Sequence, residues 1–332
     1  MIYLLTFLLS LAFGLILVPI FRKVAVKFGV VTEPRPEDNR KVPYLGGLAI
    51  YLSFIVAILC IALYTFNLTR ELQGILIACT LIMLLGLVDD TLKELPPLLK
   101  FGGQLAAVII LILFNVRTTI ARIPLWLNLF ITVVWIIGIT NAFNLLDILD
   151  GLAGGLATIA AVTFLVVAIL TNDVFIGLMA SALAGSSLAF LRYNLAPVKI
   201  FMGDAGSLFL GFILAAIAMS LSYAPEGHEI ALLVPIFILG VPIYDTFFVS
   251  LMRIKKGKPI FRGSADHFAL RLIKAGYSQK KSVLIMYLFA FFFSGSALIL
   301  SRVENWVGII IVLAVIVGLF MIGRRVSLVK VD

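Results

Sequence analysis

The sequence predicts an all-α fold, a polytopic membrane helical bundle of about eleven transmembrane helices, and three features predict it. Hydrophobic residues make up 62% of the 332 positions and charged residues only 13%, with a mean hydropathy of +1.17. No water-soluble core buries so large an apolar share. The apolar residues also collect into runs of roughly 20, the length that crosses a bilayer. Lys and Arg, finally, are concentrated in alternate gaps between those runs.

The runs lie near 2–21, 45–66, 73–88, 98–114, 125–143, 152–170, 174–190, 206–222, 229–251, 282–301 and 305–323. The first has no Lys or Arg ahead of its apolar core and no small-residue cleavage pattern, so it reads as an anchor and not a cleaved signal peptide. Lys100 and Gln104 interrupt the start of the fourth, but their four-residue spacing puts both on one face, directed into the bundle. Cys60 and Cys79 fall inside apolar runs, which supports neither a disulfide framework nor a Cys-based metal site. The whole chain, 1–332, reads as a single transmembrane domain.

With eleven spans, the loops after odd-numbered helices hold 22 of the 26 Lys and Arg. The positive-inside rule then sets those loops in the cytoplasm, the N-terminus outside and the C-terminus inside. The net charge of +9 is thereby an orientation signal with attraction to anionic headgroups, and nucleic acid is not needed as a partner. Twelve of the seventeen acids share the cytoplasmic side, although acids contribute little to orientation. They need another reason.

The third run ends in Gly86-Leu-Val-Asp89-Asp90, two carboxylates at the negative end of a helix dipole. Lys93 and Lys100 follow, and Pro96-Pro97 breaks the chain so that both can fold back over the acids. A solvated acidic turn is the competing reading. The fifth run ends in Asn141-Ala-Phe-Asn144-Leu-Leu-Asp147-Ile-Leu-Asp150-Gly151. Steps of three rotate by about −60° on an ideal helix, so the helix should stop before Gly151 for these groups to converge. Simple capping of the sixth helix is the alternative.

Ahead of the eighth run stands Asn194-Leu-Ala-Pro197-Val-Lys199-Ile-Phe201-Met-Gly203-Asp204-Ala-Gly206-Ser207. Asp204 occupies an N-cap position, while Gly203 and Gly206 permit close backbone approach to a ligand and the helix amides form a phosphate seat. Phe201 is placed to stack on a base or to anchor the interface. The loop 252–281 contains nine basic residues and the stretch 261–272, which fits a short amphipathic helix. On it His267 and Arg271 share one face and Phe268 and Leu272 an adjacent one, presenting cations to an anion.

Five carboxylates, two Asn, Gly-rich turns and dense Lys, Arg and His on one membrane face suit a pyrophosphate and a hard cation. Oxygen ligands without Cys or clustered His favour Mg²⁺, with Mn²⁺ as the substitute, over Zn²⁺. Such an ion neutralises leaving-group charge in phosphoryl transfer. The expected site is built from loops 22–44, 89–99, 144–151, 191–205 and 252–281.

These motifs, in this order, resemble the polyprenyl-phosphate N-acetylhexosamine-1-phosphate transferases, the family containing MraY, WecA and TagO. The resemblance covers nearly the whole chain and rests on Lys41-Val-Pro43-Tyr-Leu-Gly46-Gly47, Asp89-Asp90-Thr-Leu-Lys93, Lys100 with Gln104, the Asn141 to Gly151 row, Asn194 to Ser207, and Pro242-Ile-Tyr-Asp245. Eleven spans are closer to the WecA and TagO branch than to MraY. The resemblance implies transfer of a sugar 1-phosphate from a UDP-sugar to undecaprenyl phosphate, releasing UMP, as the first membrane step of a cell-envelope polysaccharide pathway. It implies Mg²⁺, a multi-pass inner-membrane location with the site on the cytoplasmic face, and is compatible with a homodimer. Asn144 and Asp204 would bind the metal, and Asp89, Asp90, Asp147, Asp150 and His267 would form the catalytic set. Substrate contacts would come from Lys41, Lys93, Lys100, Asn141, Asn194, Phe201 and Arg271. One departure stands out: the family's last cytoplasmic loop carries His-x-His-His, whereas here Ala269 and Leu270 follow His267, so N-acetylglucosamine is the default donor sugar only.

Two other classes compete. A secondary transporter of an anionic solute would carry its ionisable groups near the bilayer midplane on broken helices, but here they cluster at helix ends. A CDP-alcohol phosphotransferase expects an Arg soon after its Asp-Gly pair and two further spaced Asp, which Asp150-Gly151-Leu-Ala-Gly-Gly lacks.

Overall fold

The structure, a computed structural model, describes residues 1–32, 41–65, 68–92, 95–120, 123–220, 229–259 and 264–329. It forms two compact units, Met1–Leu221 and Ser222–Asp332. Among the described residues there are helices and one isolated antiparallel bridge, Val31 with Pro43. The first unit holds α1 (Ile2–Lys27), α2 (Gly46–Thr65), α3 (Arg70–Leu92), α4 (Pro97–Leu113), α5 (Leu125–Leu146), α6 (Leu152–Thr171), α7 (Val174–Asn194) and α8 (Gly203–Ser220). The second holds a 3₁₀ turn (Glu229–Leu233), α9 (Val234–Ile238), α10 (Gly240–Lys255), α11 (Phe268–Lys274), α12 (Gln279–Leu300) and α13 (Asn305–Ser327).

Among the described residues, every apolar run of the sequence is helical over most of its length. Nine of the described helices are long and apolar enough to cross a bilayer, and the 17-residue α4 is a shorter one. The ninth run differs from a straight span, because it bends by 74° between Glu229–Ile238 and Gly240–Lys255. The cause is local. Pro242 offers no amide to the carbonyl four residues back, and Gly240 weakens the helix where a Cβ would collide with the Phe293 ring.

In the first unit α8 is the central post. Nearly all its residues from Ala205 to Ala218 are buried, and it packs against α2, α3, α5 and α6. Close packing follows from small residues, the device that joins helices in lipid. A Cβ on Gly47 would strike Gly206 of α8, and one on Gly86 would strike Ala205. On the other side Ser10 of α1 donates to the Ala182 carbonyl of α7 at 2.6 Å. The outer face of α1 exposes Leu4, Leu8 and Ile16, and α13 exposes Ile309, Leu313 and Phe320. Apolar surface of that extent is a lipid face, and the protein is a multi-pass membrane protein.

The loop before α8 is fastened to the start of α2. Phe201 N–H donates to the Pro43 carbonyl at 2.9 Å, while Gly46 and Gly47 N–H donate to the Phe201 and Met202 carbonyls, each at 2.9 Å. These three backbone bonds hold the α8 entrance beside the ends of α3 and α5.

Candidate active site

The end of α3 places its two carboxylates in different settings. Asp89 accepts the Leu95 amide at 2.6 Å on Oδ1 and the Lys100 ammonium at 2.6 Å on Oδ2. Lys100 also pairs with Asp204 Oδ2, bridging the two acids. Asp90 instead turns to the start of α8 and accepts the Asp204 and Ala205 amides at 2.8 and 3.1 Å. The negative end of α3 is thus met by the positive end of α8.

That contact corrects two expectations. The first amides of α8 do not form a phosphate seat, because Asp90 occupies them. Gly203, at φ +70°, makes room for Asp90 and not for a ligand, since a Cβ there would run into its carboxylate; Gly206 likewise makes room for α2. Asp204 is therefore spared the capping role that its position suggests. Its Oδ1 accepts the Asn144 amide at 3.0 Å, and Asn144 also donates to Ser207 Oγ at 2.9 Å.

Helix α5 stops at Leu146, and Gly151 at φ +82° turns the chain into α6. Asp147 and Asp150 emerge from this turn. Asn194 ties it down, accepting the Gly151 amide at 2.9 Å and donating to the Ile200 carbonyl at 3.1 Å. Both ends of that carboxamide bond backbone, so Asn194 shapes the site, and it lines the cavity as well. Asn141 is also committed elsewhere. It exchanges hydrogen bonds with Gln104 at 2.7 and 3.3 Å and does not line the cavity.

The cavity these elements enclose has a volume of about 940 Å³ and is lined by Asp89, Asp90, Asn144, Asp147, Asp150, Asn194, Phe201 and Asp204, with Tyr44 and residues 28–32 on another side. Five aspartates line it; no described Lys, Arg or His does. Phe201 and Tyr44 form one wall, with ring centroids 5.9 Å apart. Burial pushes Asp147 up to about 7, and repulsion from Asp204, Asp90 and Asp150 adds to the rise. Lys41 is exposed and lies outside the lining, and Lys93 lies outside the described residues.

In the second unit, His267 and Arg271 do not present two cations along an amphipathic face. His267 precedes α11 and is buried, with Nδ1 2.7 Å from Asp245 Oδ2. Arg271 is 2% exposed. Its guanidinium donates to Asp266 Oδ1 at 2.6 Å and to the Val329 carbonyl at 2.6 Å at the end of α13. Asp266 also accepts from Lys256 at 2.7 Å and Ser264 at 3.0 Å. Burial alone would raise its pKa, but these partners hold the carboxyl below its ordinary value. The reason for the difference is the apolar side of α11: Phe268, Ala269 and Leu272 are buried and draw Arg271 in with them.

Among the described residues, no three His, Cys, Asp or Glu side chains stand together as a metal cage. The donors at the cavity are all hard oxygens, however, and their charge is in excess. That suits Mg²⁺, which is held by one or two carboxylates completed by substrate phosphate and water.

The glycosyl transferase family 4 model matches residues 72–222, the span from α3 to α8 that carries the acids. Over 98% of the chain and 92% of the relative, the sequence is 36% identical to a probable undecaprenyl-phosphate N-acetylglucosaminyl 1-phosphate transferase of Bacillus subtilis. The chain belongs to glycosyl transferase family 4. It is also 31% identical, over 92% of its length and 84% of the relative, to a decaprenyl-phosphate N-acetylglucosaminephosphotransferase of Mycolicibacterium smegmatis. A phospho-N-acetylmuramoyl-pentapeptide-transferase of Halalkalibacterium halodurans is 32% identical over 92% of the chain and 98% of the relative.

Within this family 4 chain, loop 22–44 contributes residues 28–32 to the cavity as the sequence predicts. Ser207 is the participant with no role in the sequence reading, though the four-residue register from Gly203 places it one turn along α8.

Proposed function

We propose that this chain transfers a sugar 1-phosphate, N-acetylglucosamine 1-phosphate in the first instance, from a UDP-sugar to undecaprenyl phosphate. The products are UMP and undecaprenyl-pyrophosphoryl sugar. A phosphate oxygen of the lipid attacks the sugar-bearing phosphorus, the bond from that phosphorus to the bridging oxygen breaks, and its electron pair leaves with UMP. The observation that carries this reading is the five-aspartate cavity at the ends of α3, α5 and α8, in a chain related over its length to enzymes named for this chemistry.

Asp204 and Asn144 are the residues that would hold Mg²⁺. When bound, the ion would neutralise charge developing on the diphosphate. Asp89 aims the Lys100 ammonium, and both of its oxygens are already engaged. A lipid phosphate is largely ionised at neutral pH, with a second pKa of about 6 for such monoesters, so direct attack needs no carboxylate nucleophile. Asp90 fixes the α8 entrance and thereby Asp204. Tyr44 and Phe201, tilted by 38° to each other, offer an aromatic wall to the uracil ring, since a base stacks on a single aromatic face. The asymmetry of loop charge supports a cytoplasmic-facing site in the inner membrane.

The test is incubation of the purified protein with undecaprenyl phosphate and a panel of UDP-sugars, reading UMP. UMP that appears only with the lipid acceptor and one or a few donors is expected. No UMP from any donor, or UDP-sugar uptake into liposomes without consumption of undecaprenyl phosphate, would overturn the reading in favour of transport.

A further inference from the structure

Both oxygens of Asp204 have partners. Oδ1 accepts the Asn144 amide at 3.0 Å, and Oδ2 is paired with the Lys100 ammonium. A dication on this carboxylate would stand within contact range of that ammonium and repel it, so the two cannot share Oδ2. Asn144 is fixed, because its amide also donates to Ser207 Oγ at 2.9 Å. Lys100 can move only beyond its Cα. Helix α4 is held close to α3, where a Cβ on Gly103 would strike Leu85, but the ammonium ends a flexible four-carbon stem. It also has a second anchor. Asp89 Oδ2 accepts it at 2.6 Å, and Asp89 is itself steadied by the Leu95 amide at 2.6 Å on Oδ1.

We propose that Lys100 and the divalent ion take turns on Asp204 Oδ2. As the ion arrives, the ammonium gives up Asp204, stays on Asp89 and turns its released hydrogen to an oxygen of the UDP-sugar diphosphate. The donor thereby supplies the acceptor that Lys100 needs in order to leave, so ion and donor load cooperatively. This rests on the transferase reading and on Asp204 as the residue that holds the ion. It goes beyond a substrate contact, because the exchange depends on the bridge from Asp89 to Asp204, which only the fold creates.

Two measurements on the full-length protein in detergent, without undecaprenyl phosphate so that no turnover occurs, test it. The first titrates Mn²⁺ into wild type and K100Q and reads free ion by electron paramagnetic resonance. Each protein is measured with and without UDP-N-acetylglucosamine, corrected for ion held by the nucleotide sugar alone. K100Q is expected to bind Mn²⁺ about tenfold more tightly without the donor, the scale of one hydrogen bond between charged groups. It is also expected to gain less from the donor than wild type does. An equal gain in both proteins would make Lys100 a stationary charge, and unchanged or weaker binding in K100Q would make it a structural support; either overturns the inference. No Mn²⁺ binding by wild type in either condition overturns the assignment of the ion to Asp204, and the exchange with it. UMP release from the unmutated protein judges the transferase reading separately. The second measurement needs no variant. Acylation of Lys100 by an amine-reactive ester, followed by mass spectrometry, is expected to speed up when Mn²⁺ is added and to slow again with UDP-N-acetylglucosamine. One rate in all three conditions contradicts the exchange.

Discussion

Around Asp266 in the second unit, one carboxylate meets Lys256 at 2.7 Å, Arg271 at 2.6 Å and Ser264 at 3.0 Å. Around Asp204 in the first, the Asp89 and Asp204 carboxylates share the ammonium of Lys100, and Asp90, Asp147 and Asp150 crowd the same cavity. The residue types are alike and the outcomes opposite. Where cations match the acid, burial follows and the cluster becomes part of the framework. Where acids outnumber cations, the cavity stays open and its carboxyl groups repel one another, which adds to the rise that burial gives Asp147. An excess of charge that the protein does not neutralise is a place for something that does.

Variants separate the two kinds of cluster. Asp204→Asn should reduce UMP release by about 10² to 10³, the usual cost of removing one preorganised charge-stabilising group, with little change in the thermal midpoint in detergent. A matched drop in midpoint would make Asp204 structural, like Asp266. Arg271→Met should do the reverse. Breaking a buried pair costs about 3 kcal/mol, so the midpoint should fall while the KM for the UDP-sugar holds. A raised KM at unchanged midpoint would return Arg271 to the substrate.

Asp90→Ala should fall between the two. Loss of a cap on α8 costs about 1 to 2 kcal/mol, and turnover should decline because Asp204 loses its anchor. Full activity in that variant would show that Asp90 is not needed to fix the α8 entrance.

Acid separates the clusters differently. The folded pKa of Asp266 lies below its unfolded value of about 3.9, so its contribution is complete above that pH and lost as pH falls through the folded value. Thermal midpoints from pH 6 downward should decline with a slope that Asp266→Asn reduces. The smallest effect is expected for Asn141→Ala, whose carboxamide is paired with Gln104. It should cost about 1 kcal/mol of stability and leave the KM for donor unchanged in steady-state assays.

The helices were legible because apolar runs of bilayer length have few alternatives, and Lys and Arg partition by loop. The break in the ninth run was less so, although Gly240 and Pro242 mark it once two half-helices are considered. Asn144, Asp147 and Asp204 were legible as a set because carboxylates and carboxamides at apolar helix ends are electrostatically out of place. Their individual partners were not. Asp90 binds amides 114 and 115 positions along the chain, and only packing of α3 on α8 brings them together. Arg271 misled for the same reason, since helical spacing says which residues share a face and not which face is buried.

The excess charge at Asp204 is tested most directly by titrating the protein with Mn²⁺ and reading free ion by electron paramagnetic resonance, with and without UDP-N-acetylglucosamine. Binding that tightens with the nucleotide sugar and disappears in Asp204→Asn is expected. Equal binding in wild type and Asp204→Asn, indifferent to the nucleotide sugar, would contradict the account.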